Sequence, residues 1–173
     1  MHLNPYGADA VNLAASLANR RPASAAELAD RCRAAGLAVD GPATTADLRR
    51  TAAALDAWEE VVDAADDEER AELLNRILAA AAAYPRMTSH AGSGWHLHYR
   101  DAGQPLGDVL HALFAVGTAL HLSGRGMHRL RRCDVAECTT IFADTSRTGR
   151  QRYCSQRCAN RDAVRRHRAR TAR

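Results

Sequence analysis

The sequence predicts a mainly α-helical fold with one small β-hairpin. An α-rich N-terminal domain (residues 1–128) is followed by a small four-cysteine zinc-finger module (residues 129–173) that ends in an arginine-rich helix. Apolar residues recur at helical spacing through the first part, four cysteines fall within 26 residues of the second, and the net charge changes sign between them. A chain of 173 residues is long enough for one domain and a small module.

Four helical patterns with start and stop signals occupy the first 85 residues. They cover residues 9–20, 24–36, 44–62 and 66–84. Ser24 and Glu27 have the spacing of a capping box, in which a hydroxyl and a carboxylate satisfy free amide groups at a helix start. The acidic run at residues 66–69 also favours a helix start, because carboxylates stabilise the positive end of the helix dipole.

The pattern changes over residues 86–100. The alternation WHLHY at residues 95–99 predicts a small β-hairpin with His96 and His98 on one face and apolar side chains on the other. A further apolar helix then follows Pro105 and is closed by glycines near the join between the two parts.

The charge distribution divides the chain. Residues 1–128 carry 11 arginines and 16 acidic residues, a net charge of −5, whereas residues 129–173 carry 13 arginines and 4 acidic residues, a net charge of +9. The join lies near residues 124–130. A strongly basic segment attached to an acidic one indicates that the second part has a polyanion as its partner.

Four cysteines form two close pairs, Cys133-x4-Cys138 and Cys154-x3-Cys158, separated by fifteen residues. Zinc binds four thiolates tetrahedrally, and a tight turn supplies two ligands from each close pair. Four protein ligands leave no position for an activated water, so the spacing predicts one structural zinc ion and not a catalytic one. Residues 129–173 contain few apolar side chains, and a module this small generally depends on its metal to fold.

The chain is expected to be cytoplasmic and not an enzyme. The first ten residues lack the pattern of a secretory signal, and no run of about eighteen apolar residues is present to span a membrane. A reducing compartment favours metal-bound thiolates over disulfides. Cys32 stands alone in a helical pattern with no neighbouring base, so it is interpreted as an idle thiol.

The cysteine segment resembles the CGNR zinc-finger family. The resemblance rests on CDVAEC at residues 133–138, FADTSR at 142–147, RYCS at 152–155 and CANR at 158–161. The upstream part is similar to the ABATE domain, through AVNL at residues 10–13, HLHY at 96–99 and the apolar helix leading into Cys133. The family has glycine where this chain has Ala159, and often four residues between the last two cysteines. The resemblance implies a stress-linked transcription regulator that binds DNA.

The arginines after the second cysteine form a predicted nucleic-acid surface. Exposed cations at this density repel one another unless an anion screens them, and guanidinium groups bind phosphates and guanine edges. The absence of interleaved aromatic residues favours duplex DNA over single-stranded RNA. The alternatives are a solvated basic tail and a zinc-stabilised adaptor that binds an acidic protein without DNA. The predicted contact residues are Arg147, Arg150, Arg152, Arg157, Asn160, Arg161, Arg165, Arg166, Arg168 and Arg170.

Two members of this set have a second interpretation. Asn160 can pair with adenine in the major groove, but Asn160 and Arg161 directly follow a zinc ligand and can also brace its loop through the backbone or Asp144. Asp144 itself is interpreted as a turn residue and not as a ligand.

The first part contains a histidine cluster for which the sequence leaves two interpretations open. His96 and His98 alternate on a strand and could face one ion, with His90, His111 or His121 joining them, or they could form an ordinary polar strand face. A pocket between the hairpin and the helices is a further expectation, as a site for a small-molecule effector. A homodimer is also expected, because one finger gives weak DNA specificity by itself.

Overall fold

The structure, a computed structural model, describes residues 7–89 and 95–171. Within these ranges the α-helices and β-strands are α1 (Ala8–Asn19), α2 (Ala25–Ala34), α3 (Thr45–Asp63), α4 (Asp67–Ala81), β1 (Arg86–Thr88), β2 (His96–His98), α5 (Leu106–Arg125), β3 (Leu130–Arg132), β4 (Ile141–Ala143) and α6 (Gln156–Thr171), with a single 3-10 turn at Met127–Arg129. The predicted fold class, mainly α with a small hairpin and a terminal helix beside the cysteines, is confirmed.

Side-chain caps begin the helices close to where the sequence predicts them. The Ser24 hydroxyl accepts a hydrogen bond from the Glu27 amide at 3.1 Å, but the Glu27 carboxylate accepts from the Ala23 amide and not from Ser24. A complete capping box lies instead at Thr44 and Asp47, where each side chain accepts from the other residue's amide. The predicted helix start at Ser24 is therefore right, while the reciprocal pair lies one helix later.

Helix α5 lies at the centre of the helical core and contacts α1, α3 and α4. Its length and composition would allow it to cross a membrane, but these contacts are those of a core helix. Gly117 lets α1 approach closely, because a Cβ at this position would lie 2.3 Å from the Ala10 Cβ. In the same core the Trp58 indole donates to the Thr118 hydroxyl at 2.8 Å, so the largest buried side chain has its polar atom satisfied.

The predicted hairpin is formed by β1 and β2, which pair antiparallel with His96 opposite Thr88 and Leu97 opposite Met87. His96 and His98 occupy its half-buried face, whereas Leu97 lies on the more exposed one. The imidazoles therefore lie on the less exposed face of the hairpin, and Met87, Trp95 and Leu97 are exposed. The predicted tip, including His90, lies outside the described residues.

A second hairpin, β3–β4, is not predicted by the sequence. Leu130 pairs with Ala143 and Arg132 with Ile141. Leu130, Ile141 and Ala143 are buried in the same hydrophobic cluster as the residues of α1, α3 and α5. The division at residue 128 stays a prediction, but the strands that follow it share the core of the helices.

Polar contacts reinforce this attachment. The Asn19 side chain donates to the Ile141 carbonyl at 2.7 Å and accepts from the Ile141 amide at 2.8 Å, so it pairs with β4 as a neighbouring strand would. Arg132 donates from two nitrogens to the Asp63 carboxylate, both at 2.6 Å, and also to Glu59 at 3.1 Å. The acidic end of α3 is therefore bound to β3.

Replacing Asn19 with alanine should destabilise the protein by about 1–3 kcal/mol, because a partly buried amide and carbonyl of Ile141 both lose their partner. Urea unfolding followed by circular dichroism measures the loss. Asn12, an exposed residue of the same helix, supplies the matched control, and Asn12→Ala should stay within about 0.5 kcal/mol of the parent. Equal effects of the two substitutions would contradict the assigned role of Asn19.

Candidate zinc centre and basic helix

The four predicted cysteine ligands come together. The sulfur atoms of Cys133, Cys138, Cys154 and Cys158 all lie within 4.8 Å of one another. Cys138, Cys154 and Cys158 are separated pairwise by 3.7, 3.7 and 3.8 Å. Sulfurs bound to one zinc at about 2.3 Å in a tetrahedron stand about 3.8 Å apart. The donor set therefore fits one structural zinc ion held by four thiolates.

Backbone turns present the sulfurs from both sides. The Cys138 amide donates to the Val135 carbonyl at 2.8 Å, which closes the turn between the first two cysteines. Ser155 begins α6 by accepting from the Cys158 amide at 3.3 Å, so Cys158 lies in the first helical turn. A small cluster of the cysteines with Val135 and Tyr153 surrounds the sulfurs. This cluster is too small to order the cysteine turns and α6 without the metal.

The thiols differ in their tendency to ionise. Hydrogen bonding by Thr140 lowers the pKa of the Cys138 thiol to about 6, and a hydrogen bond with Ser155 lowers the pKa of Cys158. Burial raises the pKa of Cys154 to about 12. The thiols of Cys138 and Cys158 therefore ionise more readily than that of Cys154, and zinc binding displaces the thiol protons that remain.

Asp144 organises the loop between the two cysteine pairs. Its buried carboxylate accepts from the Ser146 amide at 2.9 Å and from the Gln151 amide at 2.8 Å. Burial by itself would raise the pKa of this carboxyl, but these hydrogen bonds and the charge of Arg129 lower it. Arg129 also donates to the Asp144 and Ser146 carbonyls at 3.1 and 2.6 Å. Sequence reasoning identified a turn residue here and missed its organising role.

Two further carboxylates connect the module. Asp134 binds Arg131 and, at 2.7 Å, Arg152. Asp162, the second buried residue of α6, accepts from the Tyr153 hydroxyl at 2.6 Å and pairs with Arg165 and Arg166. Arg152, Arg165 and Arg166 were predicted only as nucleic-acid contacts, and the structure gives each an internal partner as well.

Arg161 and Asn160 have different environments. The Arg161 guanidinium lies 3.5 Å from the Cys158 sulfur, and this hydrogen bond raises the pKa of Arg161. The Asn160 side-chain oxygen accepts from Gln156 at 2.8 Å along the helix surface. Arg161 therefore contacts the ligand Cys158 itself, whereas Asp144, one of the two brace partners that the sequence left open, is bound by its own loop and by Arg129.

The other five arginines predicted to contact nucleic acid have no internal partner within residues 7–89 and 95–171. In these ranges, their guanidinium groups make neither a hydrogen bond nor an ion pair. Two of them lie in the loop after Asp144 and three on α6. They are Arg147, Arg150, Arg157, Arg168 and Arg170.

The predicted polar cluster is partly assembled. His96 and His98 are neighbours on β2, with 3.1 Å between their Nε2 atoms. His111 and His121 both lie on α5, where His121 is fully buried and burial lowers the pKa of His111. Among the described residues, the four cysteines alone form a group of three or more candidate metal ligands.

Residues 129–171 match the CGNR zinc finger family, and the matched segment contains all four cysteines and α6. The C-terminal part is therefore a zinc-stabilised module of the CGNR type. The match includes none of the helices α1–α5, so the likeness of residues 1–128 to the ABATE domain stays a prediction. No curated protein matches the chain.

The substitution Cys158→Ser should abolish stoichiometric zinc binding, because only three thiolates remain and the module's folding free energy comes mainly from the metal. Zinc per chain, measured by a colorimetric chelator after dialysis, should fall from about one to near zero. Cys32→Ser is the matched control, because Cys32 is buried among apolar side chains away from the four sulfurs. Retention of one zinc by Cys158→Ser, or its loss in Cys32→Ser, would contradict the assigned ligand set.

Asp144→Asn should cost about 1–3 kcal/mol, because an asparagine amide cannot accept from both backbone amides with two oxygens. The depressed pKa of Asp144 means that its stabilisation is complete above the unfolded value of about 3.9 and is lost only below it. Urea unfolding of the zinc-loaded protein should therefore give the same deficit at pH 5.5 and pH 7.5. The exposed Asp40→Asn serves as control, and a deficit that vanished at pH 5.5 would argue against this role.

Proposed function

We propose that the protein is a DNA-binding transcription regulator whose zinc-ordered module contacts duplex DNA through α6 and the loop before it. The observation that carries the proposal is the exposure of α6. Within this helix only Cys158 and Asp162 are buried, and both are used to hold it in place. Six arginines are distributed over the rest of the helix, and Asp162 is its single acidic residue.

The arrangement of the arginines supports separate tasks. Arg161, Arg165 and Arg166 bind groups at the helix base, where they stabilise the module and neutralise Cys158 and Asp162. Arg157 and Arg168 stand three helical turns apart on a side of the helix that turns away from those two buried residues. Unpaired and solvent-facing guanidinium groups at this spacing are suited to phosphates and base edges.

The same side of α6 has features of a base-reading surface. Asn160 and Val164 lie one turn apart between Arg157 and Arg168, and Val164 is 50% exposed although it is apolar. In a major groove, arginine binds guanine, asparagine binds adenine and an apolar side chain contacts the thymine methyl group. A helix that only increased solubility would have no need of an exposed valine among its arginines.

The loop before α6 supplies a second row of cations. Arg147 and Arg150 project from the segment that Asp144 and Arg129 hold in one conformation. Gly149 completes the packing of this loop, because its backbone has φ +66° and a Cβ there would lie within 2.9 Å of three Arg129 guanidinium atoms. A preorganised loop loses little conformational entropy on binding, so these two arginines suit phosphate contacts.

The helical part is proposed to sense a signal or to self-associate. Its negative charge opposes DNA contact, and its core is continuous with β3–β4. A change in the packing of α1 or α3 would therefore move the strand that leads directly into Cys133. Dimerisation would also add a second finger, which a regulator needs for specificity.

Salt-dependent binding of duplex DNA tests the proposal. The dissociation constant of the zinc-loaded protein, measured by fluorescence anisotropy between 50 and 200 mM salt, should rise with a log–log slope of about 0.9 for each phosphate contacted. The double variant Arg157→Ala, Arg168→Ala should lower that slope by up to about 1.8 while zinc content and unfolding stay unchanged.

The matched control is Arg76→Ala, which removes an exposed arginine from α4 in the acidic part and should leave the slope unchanged. A zinc-loaded parent that does not bind DNA at 50 mM salt would refute the proposal and favour the adaptor. Equal slopes for the parent and the double variant would exclude α6 as the contact surface.

A further inference from the structure

The β1–β2 hairpin reverses the usual distribution of polar and apolar side chains. Its half-buried face carries His96 and His98, whereas Met87, Trp95 and Leu97 are 63%, 74% and 42% exposed. A strand ordinarily gains stability by turning its apolar residues inward, because burial removes them from water. This hairpin instead keeps two imidazoles, in contact with each other, on its less exposed face, which indicates that the imidazoles have a task of their own.

The two rings are arranged to converge. Residues two apart on a strand share a face, and here the Nε2 atoms lie 3.1 Å from each other. The ring centroids are 4.8 Å apart and the rings are inclined by 62°, so they meet edge-on and are not stacked. The two Nε2 atoms therefore share a hydrogen bond, and a cation that replaced its proton would contact both nitrogens.

The separation matches that of two ligands of one ion. Nitrogens bound at about 2.0–2.1 Å stand about 3.3 Å apart in a tetrahedral site and about 2.9 Å apart in a square-planar one. The observed 3.1 Å lies between these values, and a small ring rotation reaches either. The neighbouring charge is also compatible with a cation, because Arg86, opposite His98, is paired with Asp101 at 3.3 Å.

We propose that His96 and His98 chelate one first-row divalent cation of the class that prefers imidazole, such as Zn²⁺, Ni²⁺ or Cu²⁺. Neutral imidazoles bind these ions well and bind Mg²⁺ and Ca²⁺ poorly. Two protein nitrogens leave coordination positions open, so this centre differs from the closed sulfur site and can take a further ligand. The site lies in the helical part, and the proposal does not depend on DNA binding.

Zinc titration of the full-length protein tests the site. The protein is first prepared with one zinc, which the thiolates retain, and Zn²⁺ is then added in an isothermal titration calorimeter. The parent should bind one further equivalent. His96→Ala and His98→Ala should each weaken that event by at least about tenfold, since loss of a mere outer-shell partner already costs about ten- to a hundredfold. The exposed His128→Ala is the matched control and should bind as the parent does.

A second measurement uses the unmodified protein, so the result does not depend on how the variants fold. Imidazole nitrogen signals in a ¹⁵N NMR spectrum should shift for two histidines as the second equivalent binds, and the assignments should be His96 and His98. Saturation at one zinc per chain would overturn the proposal. Equal weakening by His128→Ala, or shifts spread over other histidines, would do the same.

Discussion

Four sulfur atoms gathered within 4.8 Å determine where α6 can stand, because this helix has almost nothing else to bind it. Only Cys158 and Asp162 are buried along its sixteen residues, and no apolar seam faces the rest of the protein. An isolated helix of this length, with arginines repelling one another, is marginal in water. The metal ligand in its first turn and the Tyr153–Asp162 hydrogen bond therefore fix the direction in which the basic surface points.

The module is attached in two chemically different ways. Its first strands are held by apolar burial and by Asn19, as an extension of the helical core. Its second half is held by the sulfur cluster and by carboxylates that bind their own loop. Loss of metal should therefore release α6, while β3–β4 and the loop that Asp144 and Arg129 bind stay in place. Such a division separates the stability of the whole protein from the order of the surface proposed to bind DNA.

Most of the helices and the zinc site could be predicted from the sequence because short-range patterns determine them. Apolar spacing and caps such as Ser24 located the helices, and the two cysteine pairs identified their shared ion because each pair closes within one turn. The contacts that could not be predicted join residues distant in sequence, or involve segments and residue types that give no specific signal. The partner of Asn19 lies 122 residues away, and Ile141–Ala143 is too short to indicate a strand. Asp144 resembles any turn residue until its buried carboxylate is seen between two amides.

The shared core around Leu130 and Ile141 also bears on how this finger could be transplanted. A fragment cut at residue 129 would carry those side chains into water, and the backbone of β4 would lose the carboxamide that completes it. This fragment would be prone to aggregation even with its metal bound. A chimaera that keeps the finger folded must therefore supply a replacement for the face of α1, because this finger shares its core with the helices and is not an independent folding unit.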